Sequence, residues 1–161
     1  MKKILLFAIV AIVGFAACKK SSSSNSYYIK ATINGISYNY NGQVYSNPLS
    51  TVTGNYYVVL LADSSSSNNS GTGFEMDLYG NNVAPGTYSN KTTSSNGVQF
   101  TWNTFDSSYT SADTSAVPTI TCIVTIVNST YISGTFSGTL YNADSSVTKT
   151  ITNGSFCVPH W

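Results

Sequence analysis

The chain reads as an all-β protein, an antiparallel β-sandwich first and a calycin-like β-barrel second. Two observations carry that reading. Apolar and polar residues alternate with a period of two in run after run. Asn, Gly, Ser and Asp punctuate the runs at short spacing, and no helical period follows the first eighteen residues.

Taken in order, Tyr27–Ile33 alternates with Ile29, Ala31 and Ile33 inward and Tyr28, Lys30 and Thr32 outward. Asn34-Gly35 is a two-residue hairpin signal, because both turn positions require positive φ. Ile36–Tyr45 returns as one strand, with Ile36, Tyr38, Tyr40 and Val44 sharing a face, and Ser46 to Pro48 reads as a turn. Gly54–Asp63 is apolar on both parities, as expected of a central strand covered on both sides. A polar loop, Ser64–Gly71, leads to Thr72–Tyr79, where Phe74, Met76 and Leu78 point in and Glu75 and Asp77 point out. Asn81–Gly86 is a turn and Gly86-Thr87-Tyr88 opens a short strand. After the Thr92–Gly97 loop, Val98–Thr104 places Val98, Phe100 and Trp102 on one face. Asp106–Val117 is a long polar stretch carrying Tyr109.

The C-terminal third is the clearest pattern. In Thr119–Val127 the residues Ile120, Cys122, Val124 and Ile126 share the apolar face. In Tyr131–Tyr141 the corresponding set is Ile132, Gly134, Phe136, Gly138 and Leu140, with Asn128-Ser129-Thr130 as the hairpin loop between the two runs. Val147–Val158 follows through Asn142–Ser145. Val147 and Ile151 hold one parity and Phe156 and Val158 the other, so a β-bulge is expected at Asn153-Gly154. The three runs form an antiparallel meander, and about nine strands are expected in all.

Residues 1–17 read as a lipoprotein signal peptide. Lys2-Lys3 is a basic n-region, Ile4–Phe15 an apolar h-region, and Phe15-Ala16-Ala17-Cys18 ends in small residues and a cysteine. The apolar run is shorter than the roughly 20 residues a spanning helix needs. Residues 18–26 then hold the acylated Cys18, carrying palmitate-type chains, and a flexible Ser-rich tether. Residues 27–161 form a single all-β domain with enough chain for one core.

Charge is sparse, with 8% of the chain charged against about 25% in ordinary domains. After Asn25, three lysines (Lys30, Lys91, Lys149) face six acids, a net of −3, and arginine is absent. A nucleic-acid partner needs a basic patch to displace phosphate counterions, and these residues cannot build one.

The two cysteines of the domain, Cys122 and Cys157, read as separate thiols. The meander sets Cys122 level with Ile151, which leaves Cys157 roughly 15–20 Å away at the strand rise, against the ~7 Å limit for bridged Cα atoms. Cys122 is then a small core residue.

Candidate chemistry is thin. Glu75 and Asp77 are the one close carboxylate pair, about 7 Å apart along a strand, near glycosidase spacing. A solvated face, which Tyr79 continues, is the plainer reading, since acid catalysis needs a carboxyl held protonated in a pocket and nothing in the sequence encloses these two. Cys157-Val158-Pro159-His160, with Cys122, offers three soft ligands where structural zinc takes four. His160 is the chain's single histidine and second-last residue, in a segment expected to fray, and no Gly-x-Ser-x-Gly elbow occurs for a serine nucleophile. Gly71-Thr72-Gly73 precedes no helix and is not a dinucleotide motif. The sequence therefore implies no catalytic residue, no metal and no cofactor. The tyrosines Tyr27, Tyr28, Tyr40, Tyr45, Tyr56, Tyr57, Tyr79, Tyr131 and Tyr141, several on outward parities, are the functional lead. Their flat rings with polar tips suit sugar stacking or protein contact, and cross-strand pairing on a charge-poor sheet is the plainer use. Trp102 reads as core and Trp161 as an end cap.

The motifs Ile29–Gly35, Gly86-Thr87-Tyr88, Ile132–Phe136 and Ile151–Phe156, together with the signal ending at Cys18, resemble a family of small Bacteroidota lipoproteins that is a domain of unknown function. The resemblance implies an address and an all-β fold and no activity. Tyr38 or Tyr40 stands where that family often has Trp, and Lys19-Lys20-Ser21-Ser22 lacks the acidic run of surface-exported members. The expected protein is a non-enzymatic, lipid-anchored module of the outer membrane, on its periplasmic face or the cell surface. It binds a glycan or an envelope protein, or is structural. A carrier of a small apolar ligand is the alternative, with Gly134, Gly138 and Ala31 as small inward residues that leave room for a cavity.

Overall fold

The computed structural model describes residues 27–41, 43–50, 56–63, 72–80, 83–90, 97–111 and 119–160; over 43–50 and 56–63 it describes the backbone, with side chains at Val44 and Ser46. The signal peptide, the tether, Gly71 and Trp161 lie outside these residues. Eleven strands occur among them: β1 (Tyr28–Ile33), β2 (Ile36–Tyr40), β3 (Gln43–Ser50), β4 (Tyr56–Asp63), β5 (Gly73–Gly80), β6 (Gly86–Ser89), β7 (Gly97–Asn103), β8 (Ser108–Thr110), β9 (Ile120–Val127), β10 (Tyr131–Tyr141) and β11 (Thr148–Pro159). The protein is all-β, and no described helix is long and apolar enough to cross a membrane.

One sheet holds all eleven strands, in the order β2-β1-β11-β10-β9-β6-β7-β5-β4-β3, with β8 bridging β7 and β10. That bridge closes β10, β9, β6, β7 and β8 into a five-stranded barrel. The outer strands extend the sheet from the barrel on both sides, β11-β1-β2 from β10 and β5-β4-β3 from β7. The Ser46 hydroxyl of β3 donates to the Pro159 carbonyl of β11, so the two extensions meet.

Aromatic rings join the strands through the interior. Phe156 of β11 lies 6.4 Å from Phe136 of β10, which lies 4.9 Å from Phe100 of β7. Phe100 is 5.2 Å from Phe74 of β5, and Phe74 is 4.7 Å from Tyr40 of β2. These separations fall where ring pairs add roughly 0.5–1.5 kcal/mol each beyond their burial. Tyr40 is in this core and outside any surface tyrosine set; its hydroxyl is 3.0 Å from Thr72 Oγ1 and accepts from Trp102 Nε1 at 3.3 Å. Trp102 is core, as its parity requires.

The small inward residues leave no room of their own. Gly134 faces Phe156 across β10 and β11, and Gly154 faces Phe136. A Cβ at Gly134 would collide with the Ile123 carbonyl and stand 2.8 Å from the Phe156 ring, and one at Gly154 would stand 2.6 Å from the Phe136 ring. A ring lies against each of these two glycines, so the small size of Gly134 is no evidence for a cavity.

Turn chemistry places the hairpins as the residues dictate. Asn34 (φ 46°) and Gly35 (φ 83°) form the two-residue turn closing Ile33 on Ile36. The Asn34 amide donates to the Thr150 carbonyl at 3.0 Å and its Oδ1 accepts from the Thr150 amide at 2.8 Å, tying the turn to β11. A Cβ on Gly35 meets nothing within 4 Å, so Gly35→Ala tests the backbone alone. It is expected to cost about 1 kcal/mol in urea unfolding, and an unchanged midpoint would refute the positive-φ argument. Asn128 Oδ1 accepts from the Thr130 and Tyr131 amides at 2.8 and 2.9 Å and fixes the β9–β10 loop.

The bulge in β11 is present. Asn153 has φ 52°, and the pairing with both β1 and β10 slips beside it, which returns Phe156 and Val158 to the core. A second bulge was not legible. In β9 the pairing slips at Thr125, between Ser133↔Ile126 and Gly134↔Val124. Ile126, expected inward, is therefore 37% exposed, and Val127 packs against the core instead.

Three further expectations are corrected. Ile36–Tyr45 falls in two strands, β2 ending at Tyr40 and β3 beginning at Gln43, and Ile36 is 61% exposed. Ser46–Pro48 is strand, since β3 lies at the sheet edge, where a residue without an amide hydrogen is tolerated. Within the polar stretch after Asp106, Ser108–Thr110 forms β8 and places Tyr109 against Trp102 at 5.6 Å. β4 lies between β3 and β5 as a non-edge strand; what covers its two faces is outside the described side chains.

Cys122 is buried and free, its thiol pushed up to about 12 by burial. No Cys122–Cys157 bridge forms, as expected. Cys157 is nevertheless disulfide-bonded rather than a thiol, to a sulfur outside the described residues. The β11 bulge sets Cys157 opposite Ser133, while Cys122 pairs with Phe136, so the two sit at different levels of the meander.

Candidate polar face of strands β5 and β7

The alternation of β5 separates Phe74, Met76 and Leu78, all buried, from Glu75, Asp77 and Tyr79 on the opposite face. The same alternation in β7 buries Val98, Phe100 and Trp102 and turns Gln99 and Thr101 outward. Register sets Thr101 beside Glu75, Gln99 beside Asp77 and Gly97 beside Tyr79. Thr110 of β8 extends the Thr101 row.

Tyr79 lies along β7. A Cβ at Gly97 would stand 3.3 Å from both Cβ and Cδ2 of Tyr79, so the ring rests against the glycine backbone. Its hydroxyl donates to Gln99 Oε1 at 2.9 Å and lies 3.4 Å from Asp77 Oδ2. Asp77 Oδ1 and Thr110 Oγ1 are buried and have no hydrogen-bond partner among the described residues. Buried polar atoms are nearly always satisfied, so two orphans in one sheet region call for an explanation.

Burial pushes the Asp77 carboxyl up to about 6, with the Glu75 charge adding to the rise and the Tyr79 hydrogen bond opposing it. The folded carboxyl thus binds a proton more tightly than the unfolded one. Its ionised form opposes folding fully above the folded value, and the penalty fades as pH falls toward the ordinary value of 3.8. Two pH units would be worth about 3 kcal/mol; solvent screening of a half-exposed group reduces this to ~1 kcal/mol. Asp77→Asn is accordingly expected to add ~1 kcal/mol at pH 7.5 and little at pH 4. Equal gains at both pH values, in parallel urea titrations, would exclude ionisation as the cause.

The other candidates scatter. Tyr27 and Tyr28 are half-buried on β1 or just before it, with Tyr27 donating to the Thr130 carbonyl at 3.3 Å and the Lys30 ammonium 4.9 Å above the Tyr28 ring. Tyr131 and Tyr141 sit half-buried at opposite ends of β10. The side chains of Tyr45, Tyr56 and Tyr57 lie outside the described residues, though register sets Tyr57 directly opposite Tyr79. His160 does not fray: its amide donates to the Thr130 carbonyl at 2.9 Å. Among the described residues no three His, Cys, Asp or Glu side chains gather as a metal site.

Sequence reasoning paired Glu75 with Asp77 and set Tyr79 on the same face, but missed Gln99 and Gly97. The signal was the glycine opening an otherwise apolar-alternating strand, which marks a close approach. No known family profile, curated protein or solved structure matches the chain. The fold and this face define a small all-β barrel protein with a polar, tyrosine-bearing sheet face.

Proposed function

We propose that this is a lipid-anchored, non-enzymatic module of the cell envelope that binds glycan on the β5–β7 face, held to the outer membrane through acylated Cys18. The observation that carries the glycan reading is the Tyr79 ring, laid along Gly97 with its hydroxyl fixed by Gln99 and carboxylates beside it. A flat ring held against a sheet suits stacking on a sugar ring, and neighbouring acceptors suit its hydroxyls. The ring-filled interior supports this reading over the carrier. The resemblance to small Bacteroidota lipoproteins supports the address alone.

Thermal melting of the mature chain against polysaccharides and against fatty acids or sterols tests the choice. A ligand at 100 times its dissociation constant adds roughly 2.7 kcal/mol. A shift with lipids and none with glycans would overturn the binding site proposed here. A second reading, glycoside hydrolysis, is favoured by one observation, the Asp77 carboxyl raised beside Glu75. Release of reducing ends from a bound glycan, lost in Asp77→Asn, would establish it.

A further inference from the structure

We infer that the end of the barrel at which the chain enters rests on the bilayer, with Tyr27, Tyr28 and Tyr131 at headgroup level and Lys30 against anionic lipid phosphates. The inference rests on the lipid-anchor reading above and adds a second membrane contact and an orientation.

Register divides the molecule into two ends. Tyr28 pairs with Cys157 and Tyr131 with Pro159, so the start of β1, the start of β10 and the end of β11 share one end with the Asn128–Thr130 loop. Asn34-Gly35, the β7–β8 tip and the Asn142–Val147 loop share the other, since Ile33 pairs with Ile151, Tyr141 with both Thr148 and Thr110, and Asn103 with Ser108. The two ends of β10 are roughly 35 Å apart along the strand. From Cys18 to Tyr27 the sequence allows about 30 Å when fully extended and ~16 Å on average for a Ser-rich chain. Acyl chains on Cys18 therefore set the entry end nearest the bilayer.

That end carries the residues of a membrane interface. Tyr27, Tyr28 and Tyr131 are half-buried, and tyrosine, with an apolar ring and a polar tip, gathers at headgroup level. The Tyr27 hydroxyl donates to the Thr130 carbonyl at 3.3 Å, which ties the incoming chain to the loop beside Tyr131. Ile126, opposite Ser133, is exposed because the Thr125 bulge turns it out at this same end. Lys30 is exposed on β1, and its ammonium lies 4.9 Å from the Tyr28 ring, so the side chain leans toward the entry end and carries its charge to the interface. Lys19 and Lys20 directly follow the acylated residue. Each lysine beside an anionic leaflet adds to the attraction. The far end is mixed, with Asp106 and Asp144 exposed in its loops and Lys149 on β11. A weak contact suffices, because the anchor makes it intramolecular.

Paramagnetic relaxation in nanodiscs tests this on the mature acylated chain. The discs hold phosphatidylethanolamine and phosphatidylglycerol, with a trace of lipid carrying gadolinium on its headgroup. The expected result is stronger broadening of the amide signals of Tyr27–Lys30 and Asn128–Tyr131 than of Asn34-Gly35 and Asn142–Val147. Lys30→Glu should cut the broadening at the entry end roughly threefold, and Tyr28→Ala combined with Tyr131→Ala by a similar factor. In phosphatidylcholine discs Lys30→Glu should match the parent. Broadening centred on the far loops, or equal at both ends, would overturn the orientation and leave the anchor standing. Broadening at the entry end that all these substitutions leave intact would show that the tether alone holds the domain there, and would overturn the contact. A chain that stays out of the discs would overturn the anchor and the inference with it. Melting of each variant within a few degrees of the parent separates lost contact from lost folding.

Discussion

Gly134→Ala is expected to destabilise the domain by about 3 kcal/mol or more, beyond the usual range for one added methyl in a core. The reason is what the methyl meets. At Gly134 the new carbon would collide with the Ile123 carbonyl oxygen, part of the paired β9 backbone, and would stand 2.8 Å from Cζ and 2.9 Å from Cε1 of Phe156. The ring could turn, but the carbonyl cannot move without disturbing a strand of the closed barrel. A loss of this size, against a total of roughly 5–15 kcal/mol, should lower the melting temperature by about 10 °C. Phe156→Ala is expected to cost a similar 3–5 kcal/mol by the opposite route, an unfilled volume beside Gly134. The two changes together do not cancel, because removing the ring leaves the Ile123 collision in place. A double variant as stable as Phe156→Ala would show that the carbonyl yields, and Gly134→Ala within 1 kcal/mol of the parent would refute the close-approach argument outright.

That collision also marks how far the sequence could be read. Alternation identified the β9–β10–β11 meander, its hairpin loops and the β11 bulge, because Asn34-Gly35, Asn128 and Asn153 are turn and bulge residues whose chemistry is local. The Thr125 bulge in β9 had no such marker. Thr125 is a good strand residue, and the slip is imposed by pairing with β10. The closing strand β8 was invisible for the same reason, since three residues give no period and its partners are distant in sequence. Gly134 was seen only as small, and Gly154 only as half of the bulge signal. That they face Phe156 and Phe136 is a fact of register, continuous from Gly134↔Phe156 to Phe136↔Gly154 and slipping only beyond Phe136. In the candidate site, parity alone put Glu75, Asp77 and Tyr79 on one face. The contact of Tyr79 with Gly97 and Gln99 depends on β5 pairing with β7 rather than with β6, its next neighbour in the chain, and no local signal specifies that.

Cys18→Ser is expected to transfer the protein from the membrane pellet to the soluble fraction, the largest change any single substitution here should produce. Two acyl chains on one residue give a stable anchor where one gives a marginal one. The cysteines make the test sharper. Cys122 is a free buried thiol, Cys157 is disulfide-bonded, and the chain's remaining cysteine is Cys18. A lipid on the Cys18 sulfur and a bridge from Cys157 to that sulfur in the same chain exclude each other. Lipidated protein, extracted and denatured without reductant, should therefore show two thiols, Cys122 and Cys157, unless Cys157 is bridged to another molecule, which non-reducing electrophoresis reveals as added mass. Protein bridged within the chain should show one. Cys157→Ser separates the cases further: it leaves an acylated protein in the membrane and frees a second thiol, Cys18, in an internally bridged one. Retention of Cys18→Ser with the membrane would sink the anchor, whatever the thiol count. Release of Cys18→Ser, with two thiols in the membrane-bound parent, would leave acylation as the fate of Cys18 and make the Cys157 disulfide a property of chains that escape it.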